Sequence, residues 1–294
     1  MQIENKWNQL ALLLLLFGIN LIIFSSLAGF ITILSGMDTS SAPVLRYANI
    51  LSEIGVFGLT AWMFAFFVNN KKPISYLKIN KGISLVQCIL LILVFTVSTP
   101  ALSAVIEWNA DIQLPEFMSS IENWMREKED TAAETTAKLL AGKGTGILLI
   151  NLLTIAIIPA ICEELLFRGA ILGWLRYSIK NVHLAIFLSA FIFSAFHVQF
   201  FGFVPRLLLG LYMGYILVWS GSMWSSIIAH FINNSMAVIA AYLYNNQMID
   251  TNYSDFGNVG NNYILIITSI LLTTFCLYLF YKKKNRGDEM STFP

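Results

Sequence analysis

Long apolar runs separated by short polar joints dominate this chain. Crossing a bilayer as a helix takes about 20 mostly apolar residues. Runs at about 10–34, 47–68, 83–106, 146–172, 183–201, 204–220, 223–244 and 262–281 approach or meet that length. They predict an all-α, polytopic transmembrane bundle of about eight spans, forming a single membrane domain over residues 1–294. The first run is longer than the 7–15 apolar residues of a signal peptide, so it predicts a retained span. The boundary between 197 and 206 is the weakest, because Gly202 and Pro205 could mark a kink rather than a joint.

Residues 107–145 form the one sizeable hydrophilic segment. From Pro115 to Leu140 it places Phe117, Ile121, Trp124 and Met125 at three-to-four spacing, which predicts an amphipathic helix lying at the membrane interface. Such a helix could cover a site, present a substrate, or simply connect two spans.

Composition narrows the class. Of 294 residues, 57% are hydrophobic and 12% charged, against about 25% charged in a soluble domain. The net charge of +1 leaves no basic excess to neutralise phosphates, so a nucleic-acid partner is not expected. Position matters more than balance. Lys71, Lys72, Lys78 and Lys81 share one joint, Arg176 and Lys180 another, and Lys282, Lys283, Lys284 and Arg286 the tail. With eight spans, the positive-inside rule puts all three on the cytoplasmic face, together with both termini. The acidic 107–145 segment, and 245–261 with Asp250 and Asp255, then fall outside. The expected setting is a bacterial plasma membrane. Cys88, Cys162 and Cys276 lie far apart within apolar runs, which suits packing and neither a disulfide framework nor a metal pair.

The spans between 159 and 234 concentrate buried ionisable groups. Each such group costs roughly 3 kcal/mol at mid-membrane, so these residues tend to pair and to mark function. Glu164 and Arg168 are four apart and can form an ion pair. Glu163 points about 100° away, leaving a carboxylate without a cation, the kind of group that can act as a general base. His197 lies deep in an apolar span, and His230 and Asn234 share one helical face. His183 sits beside Lys180 and Asn181 as an interfacial residue. Phe193 reads as packing behind His197, and Arg206 as a contact for lipid head groups or the 107–145 segment. A lone membrane His or Glu–Arg pair is ordinarily structural. Residues alone therefore leave an enzyme and a proton- or ion-coupled transporter both open.

Three elements in order are Glu163-Glu164-Leu-Leu-Phe-Arg168, Phe193-Ser-Ala-Phe-His197 and His230-Phe-Ile-Asn-Asn234. The trio resembles the signature of the CPBP intramembrane proteases, which include CAAX prenyl endopeptidases and bacteriocin-processing and immunity proteins. The likeness covers about residues 145–245 as a catalytic core. It implies a peptidase for a membrane-anchored or hydrophobic peptide in the lipid bilayer. Glu163 and His197 would hold and deprotonate water, His230 and Asn234 would stabilise the oxyanion, and Glu164 and Arg168 would brace and orient them. Substrate would enter laterally or through a cytoplasm-facing cavity.

No cofactor is required by this scheme. Zinc or another divalent ion could use Glu163, His197 and His230, but there is no His-Glu-x-x-His, and Asn is a poor zinc ligand. A metal-free glutamate mechanism is the expectation. Two alternatives remain: a non-catalytic immunity or binding protein of the same fold, which Glu163→Ala would leave functional, and a proton-coupled transporter, for which inverted repeats are expected and none is visible. One geometric difficulty stands out. Counted along regular helices, His197 lies about 21 Å and His230 about 10 Å from the same face, so the spans must be tilted, offset or broken, with Pro159 and Pro205, and Gly202 and Gly210, as plausible places.

Overall fold

A computed structural model describes residues 3–252, 257–260 and 262–283. Lys284, Arg286 and Asp255, used above to orient the chain, lie outside the described residues. No strand occurs among the described residues.

The helices are α1 (Lys6–Ser35), α2 (Ala42–Val68), α3 (Leu85–Ala110), α4 (Ser119–Leu140), α5 (Thr145–Ser178), α6 (Val182–Phe196), α7 (Phe203–Ser220), α8 (Met223–Asn245) and α9 (Tyr263–Lys282). Local chemistry sets their ends. The Asn5 side chain accepts from Trp7 and Asn8 N–H to start α1, and a Ser84–Gln87 capping box starts α3. Seven described helices are long and apolar enough to cross a membrane; α4 is polar, and α6 is apolar but shorter. The result is a helical membrane bundle of about eight spans.

The outer helices bare the apolar side chains expected against lipid, such as Leu14, Leu15 and Ile22 on α1 and Ile264 and Leu271 on α9. Inside, one apolar cluster joins Phe64, Leu77, Leu166, Leu172, Ile186 and Leu217. A second joins Leu91, Val94, Met213, Ile216 and Phe280. Helix α7 contributes to both.

Three stretches depart from regular α-geometry. Wider π-type turns run through Ser52–Gly58 in α2 and through Leu152–Ile157 and Leu165–Ile171 in α5. Such turns recur at functional sites because they re-aim side chains. Here they bracket Glu163 and Glu164 and carry Glu53.

The 183–201 run is not one straight span. Helix α6 stops at Phe196 after 15 residues, about 22 Å of rise. Val198 takes a left-handed φ of 52°, and a helical turn at Phe200–Gly202 leads into α7. Irregular backbone at membrane depth persists only where its polar groups find partners inside the protein. Asn109 of α3 supplies two: its amide donates to Phe200 O (3.2 Å) and accepts from Val204 N–H (2.8 Å). Ser194 Oγ donates to Phe203 O at 2.6 Å. His197 therefore sits at the end of a short helix, one whole length of α6 from its start.

Candidate functional site

The site starts from α5. Glu164 is fully buried and Arg168 is 1% exposed. Their ion pair spans 3.0 Å. Charges taken out of water demand complete pairing, and Glu164 receives it. His230 Nδ1 lies 2.9 Å from its Oε1, and Ser226 Oγ donates to its Oε2. Arg168 also donates to Gly210 O (3.3 Å) and stacks its guanidinium on Phe193, 4.3 Å from the ring centroid. Both oxygens of Glu164 are committed.

Glu163 is different. Its side chain is 12% exposed, and Oε2 stands 3.9 Å from His230 Nε2. That oxygen is buried without a hydrogen-bond partner. Glu163, Arg206 and His230 all act electrostatically on His197, so both histidines belong to the surroundings of one carboxylate.

Each histidine is held through Nδ1. His197 Nδ1 is 2.9 Å from Phe193 O. A carbonyl only accepts, so Nδ1 carries the proton and a neutral His197 presents a lone pair on Nε2. His230 Nδ1 likewise faces a carboxylate, leaving Nε2 toward Glu163. Phe193 packs edge-on against both rings, at 5.0 Å from His197 and 6.1 Å from His230. It fixes the histidines and takes no chemical part.

Asn234 is placed by a proline. Pro159 has no N–H, so the carbonyl four residues earlier, Ile155, lacks its α-helical donor. Asn234 Nδ2 donates to that oxygen at 3.1 Å, and Asn233 donates to Asn234 Oδ1 at 3.1 Å. An amide has two N–H donors, so one remains for chemistry.

Glu163, Glu164, Arg168, His197, His230 and Asn234 thus all lie on helices packed about α5 and α8. Their arrangement does not suit a metal. Among the described residues no group of three or more His, Cys, Asp or Glu side chains could hold an ion. Glu163, His197 and His230 therefore do not fit as a ligand set, and no step is routed through a metal.

Three contributors, Ser226, Asn233 and Glu53, escaped the sequence reading, and Gly210 was expected only as a place for a helix break. Ser226 and Asn233 carry no signal apart from their neighbours. Gly210 matters by what it lacks: a Cβ there would meet Ala190 Cβ at 2.9 Å and Arg168 Nη2 at 3.4 Å. Glu53 had a signal, being the one acid in α2's apolar run. It is 5% exposed, and its carboxyl lies within hydrogen-bonding reach of Glu163. Cys162 is a buried free thiol packed toward Gly58.

A cavity of about 450 Å³ adjoins this region, lined by Phe95, Thr99, Glu129, Arg206, Asn233 and Met236 among others. It lies in the second half of α3 and the first half of α7, at the α4 end of the bundle. That is the end away from Lys71–Lys81. Helix α4 sits over it. Glu129 accepts from Phe201 N–H (3.3 Å), Trp124 packs on Phe200 (5.3 Å) and Arg126 lies over Phe201 (4.2 Å).

Fold and site together define a helical membrane protein with a buried Glu–His–Arg–Asn cluster at helix breaks. Residues 145–236, about a third of the chain, match the family model described as Type II CAAX prenyl endopeptidase Rce1-like. At family level this supports an intramembrane endopeptidase. No curated protein and no solved structure matches the chain.

Proposed function

We propose that this chain hydrolyses a peptide bond of a membrane-associated substrate with a water activated by Glu163 and His197. The observation that carries the reading is the contrast between adjacent carboxylates. Glu164 has both oxygens engaged, whereas Glu163 keeps a buried oxygen without a partner beside His230.

The steps follow from that contrast. Water gives one proton to the Glu163 carboxylate while its second O–H is held by His197 Nε2. The oxygen bonds to the scissile carbonyl carbon, and the carbonyl becomes an oxyanion. Asn234 meets it with its remaining N–H. His230 does so as a donor through Nε2–H, with its Nδ1 held by Glu164. The C–N bond then breaks, and the leaving nitrogen takes the proton held on Glu163. Acid–base catalysis of this kind contributes about 10²–10⁴-fold, and oxyanion donors a further 10²–10³-fold each.

The cavity beside Asn233 is the route by which an extended, largely apolar peptide would reach the site, with α4 above it. The test compares membrane proteomes of cells carrying wild type and Glu163→Gln. Peptides cut only in the presence of wild type support the reading. Purified Glu163→Gln protein that still cleaves those peptides at the wild-type rate removes it.

A further inference from the structure

We infer that Glu53 is a positioning residue of this site: its carboxylic acid O–H donates to the Glu163 carboxylate and fixes the orientation of that base. The inference rests on the proposed peptidase reading and deepens it.

Geometry comes first. Glu53 lies on the widened turns of α2, which pack against the Ile158–Glu164 stretch of α5. The two carboxyl groups are within hydrogen-bonding reach, yet the Oε2 atoms of both are buried without a conventional donor. Two buried carboxylates side by side cannot both be ionised, because the repulsion is unscreened, and such pairs share a proton.

The neighbours decide which one holds it. Facing Glu163 are His230 from α8 and His197 from α6, with Arg168 of its own helix acting on it from further off. The charged group acting on Glu53 is Glu163 itself, with the Cys162 thiol nearby. Both imidazoles and Arg168 lie on the Glu163 side of the pair, so the anion belongs on Glu163 and the proton on Glu53. A base pinned this way keeps its other lone pairs directed at water, whereas a free glutamate would rotate about its last side-chain torsion.

Three purified, vesicle-reconstituted proteins test this: wild type, Glu53→Gln and Glu53→Leu. Gln keeps an N–H donor at the same position; Leu has none. Infrared spectra at neutral pH should contain the carbonyl stretch of a protonated carboxyl in wild type that vanishes in Glu53→Gln. With a peptide identified from the proteome comparison, Glu53→Gln should retain kcat within about threefold. Glu53→Leu should lose about ten- to a hundredfold in kcat with KM unchanged. A merely structural role would not separate Gln from Leu in kcat while sparing KM.

The inference is overturned if the infrared band is missing from wild type or persists in Glu53→Gln. It is equally overturned if Gln is as inactive as Leu, or if Leu cleaves like wild type. Should Glu53→Leu fail to fold, the band and the Gln rates decide. Wild type that shows the band but cleaves nothing would leave the shared proton standing and remove the peptidase reading, so the two failures are distinct.

Discussion

Two spans of this protein are broken by a proline, and a neighbouring helix patches each with one polar side chain. In α3, Pro100 leaves Thr96 O without its α-helical donor, and Ser269 of α9 inserts into the next rung of the ladder. Its hydroxyl accepts from Ala101 N–H (3.2 Å) and donates to Val97 O (2.6 Å). In α5, Pro159 leaves Ile155 O to Asn234 of α8. Both repairs satisfy backbone groups that lipid could not. The difference lies in what remains. The hydroxyl of Ser269 has one proton and gives it to Val97 O, so that repair is closed. Asn234 uses one of two N–H groups, and it lies one turn of α8 from His230, which faces Glu164 and Glu163. A repair becomes a candidate site when the repairing group keeps unused bonding capacity beside charge.

The largest test removes something the α3 break does not have. Arg168→Ala would leave Glu164 charged, buried and partly unpaired, which costs about 3–5 kcal/mol. Thermal unfolding in detergent should register that loss. A double substitution, Glu164→Leu with Arg168→Met, should recover much of it, because an apolar pair needs no charge compensation. Equal stability of Arg168→Ala and wild type would mean the α5 break is as plain as the α3 one.

Next in size is the contrast between the repairs themselves. Asn234→Leu strands Ile155 O and removes a proposed oxyanion donor, so kcat should fall about 10²–10³-fold. Ser269→Ala should leave kcat unchanged and cost about 0.6–1.7 kcal/mol, the range for interhelical hydrogen bonds in membranes. If both variants lose activity alike, the distinction between a closed and an open repair fails.

Between these in stability lies Gly210→Ala. The added methyl would sit 2.9 Å from Ala190 Cβ and 3.1 Å from its Cα, with backbone that cannot yield cheaply. Overpacking of this kind costs about 1–3 kcal/mol. It should separate α7 from α6 and weaken the Arg168 contact to Gly210 O, lowering the melting temperature and kcat together.

Much of the site was legible because helical periodicity is local. The four-residue spacing of Glu164 and Arg168, and of His230 and Asn234, needs only 3.6 residues per turn. The odd carboxylate, Glu163, followed from the same arithmetic. The π-type turns of α2 and α5 were not legible, since they arise from packing between helices. The early end of α6 was hinted at by Gly202 and Pro205, yet the apolar run continues through Phe200 and Phe201, so hydropathy carried the predicted span too far. Glu53 escaped because it stands alone in its apolar run, far along the chain from the dense stretch at 159–234. Its membership depends on α2 packing against α5, a tertiary fact absent from either run.

The smallest effect distinguishes the buried breaks from the water-facing helix above them. The start of α4 is tied down by Glu122, which accepts from Leu114 N–H (2.9 Å) and pairs with Arg126 (2.7 Å). The Arg126 hydrogen bonds, then the Leu114 N–H, hold the Glu122 carboxyl below its usual range. A carboxylate depressed in the folded state adds stability above its unfolded value, and that contribution is lost as pH falls through the folded value. The tether should therefore hold at neutral pH and loosen on acidification below the ordinary glutamate range. Amide hydrogen exchange at 114–126 should quicken with acid more than the intrinsic rates do, while amides of α3 near Pro100 should not. Glu122→Gln should abolish that excess, and an unchanged acid response in the variant would place the sensitivity elsewhere than in the Glu122–Arg126 pair.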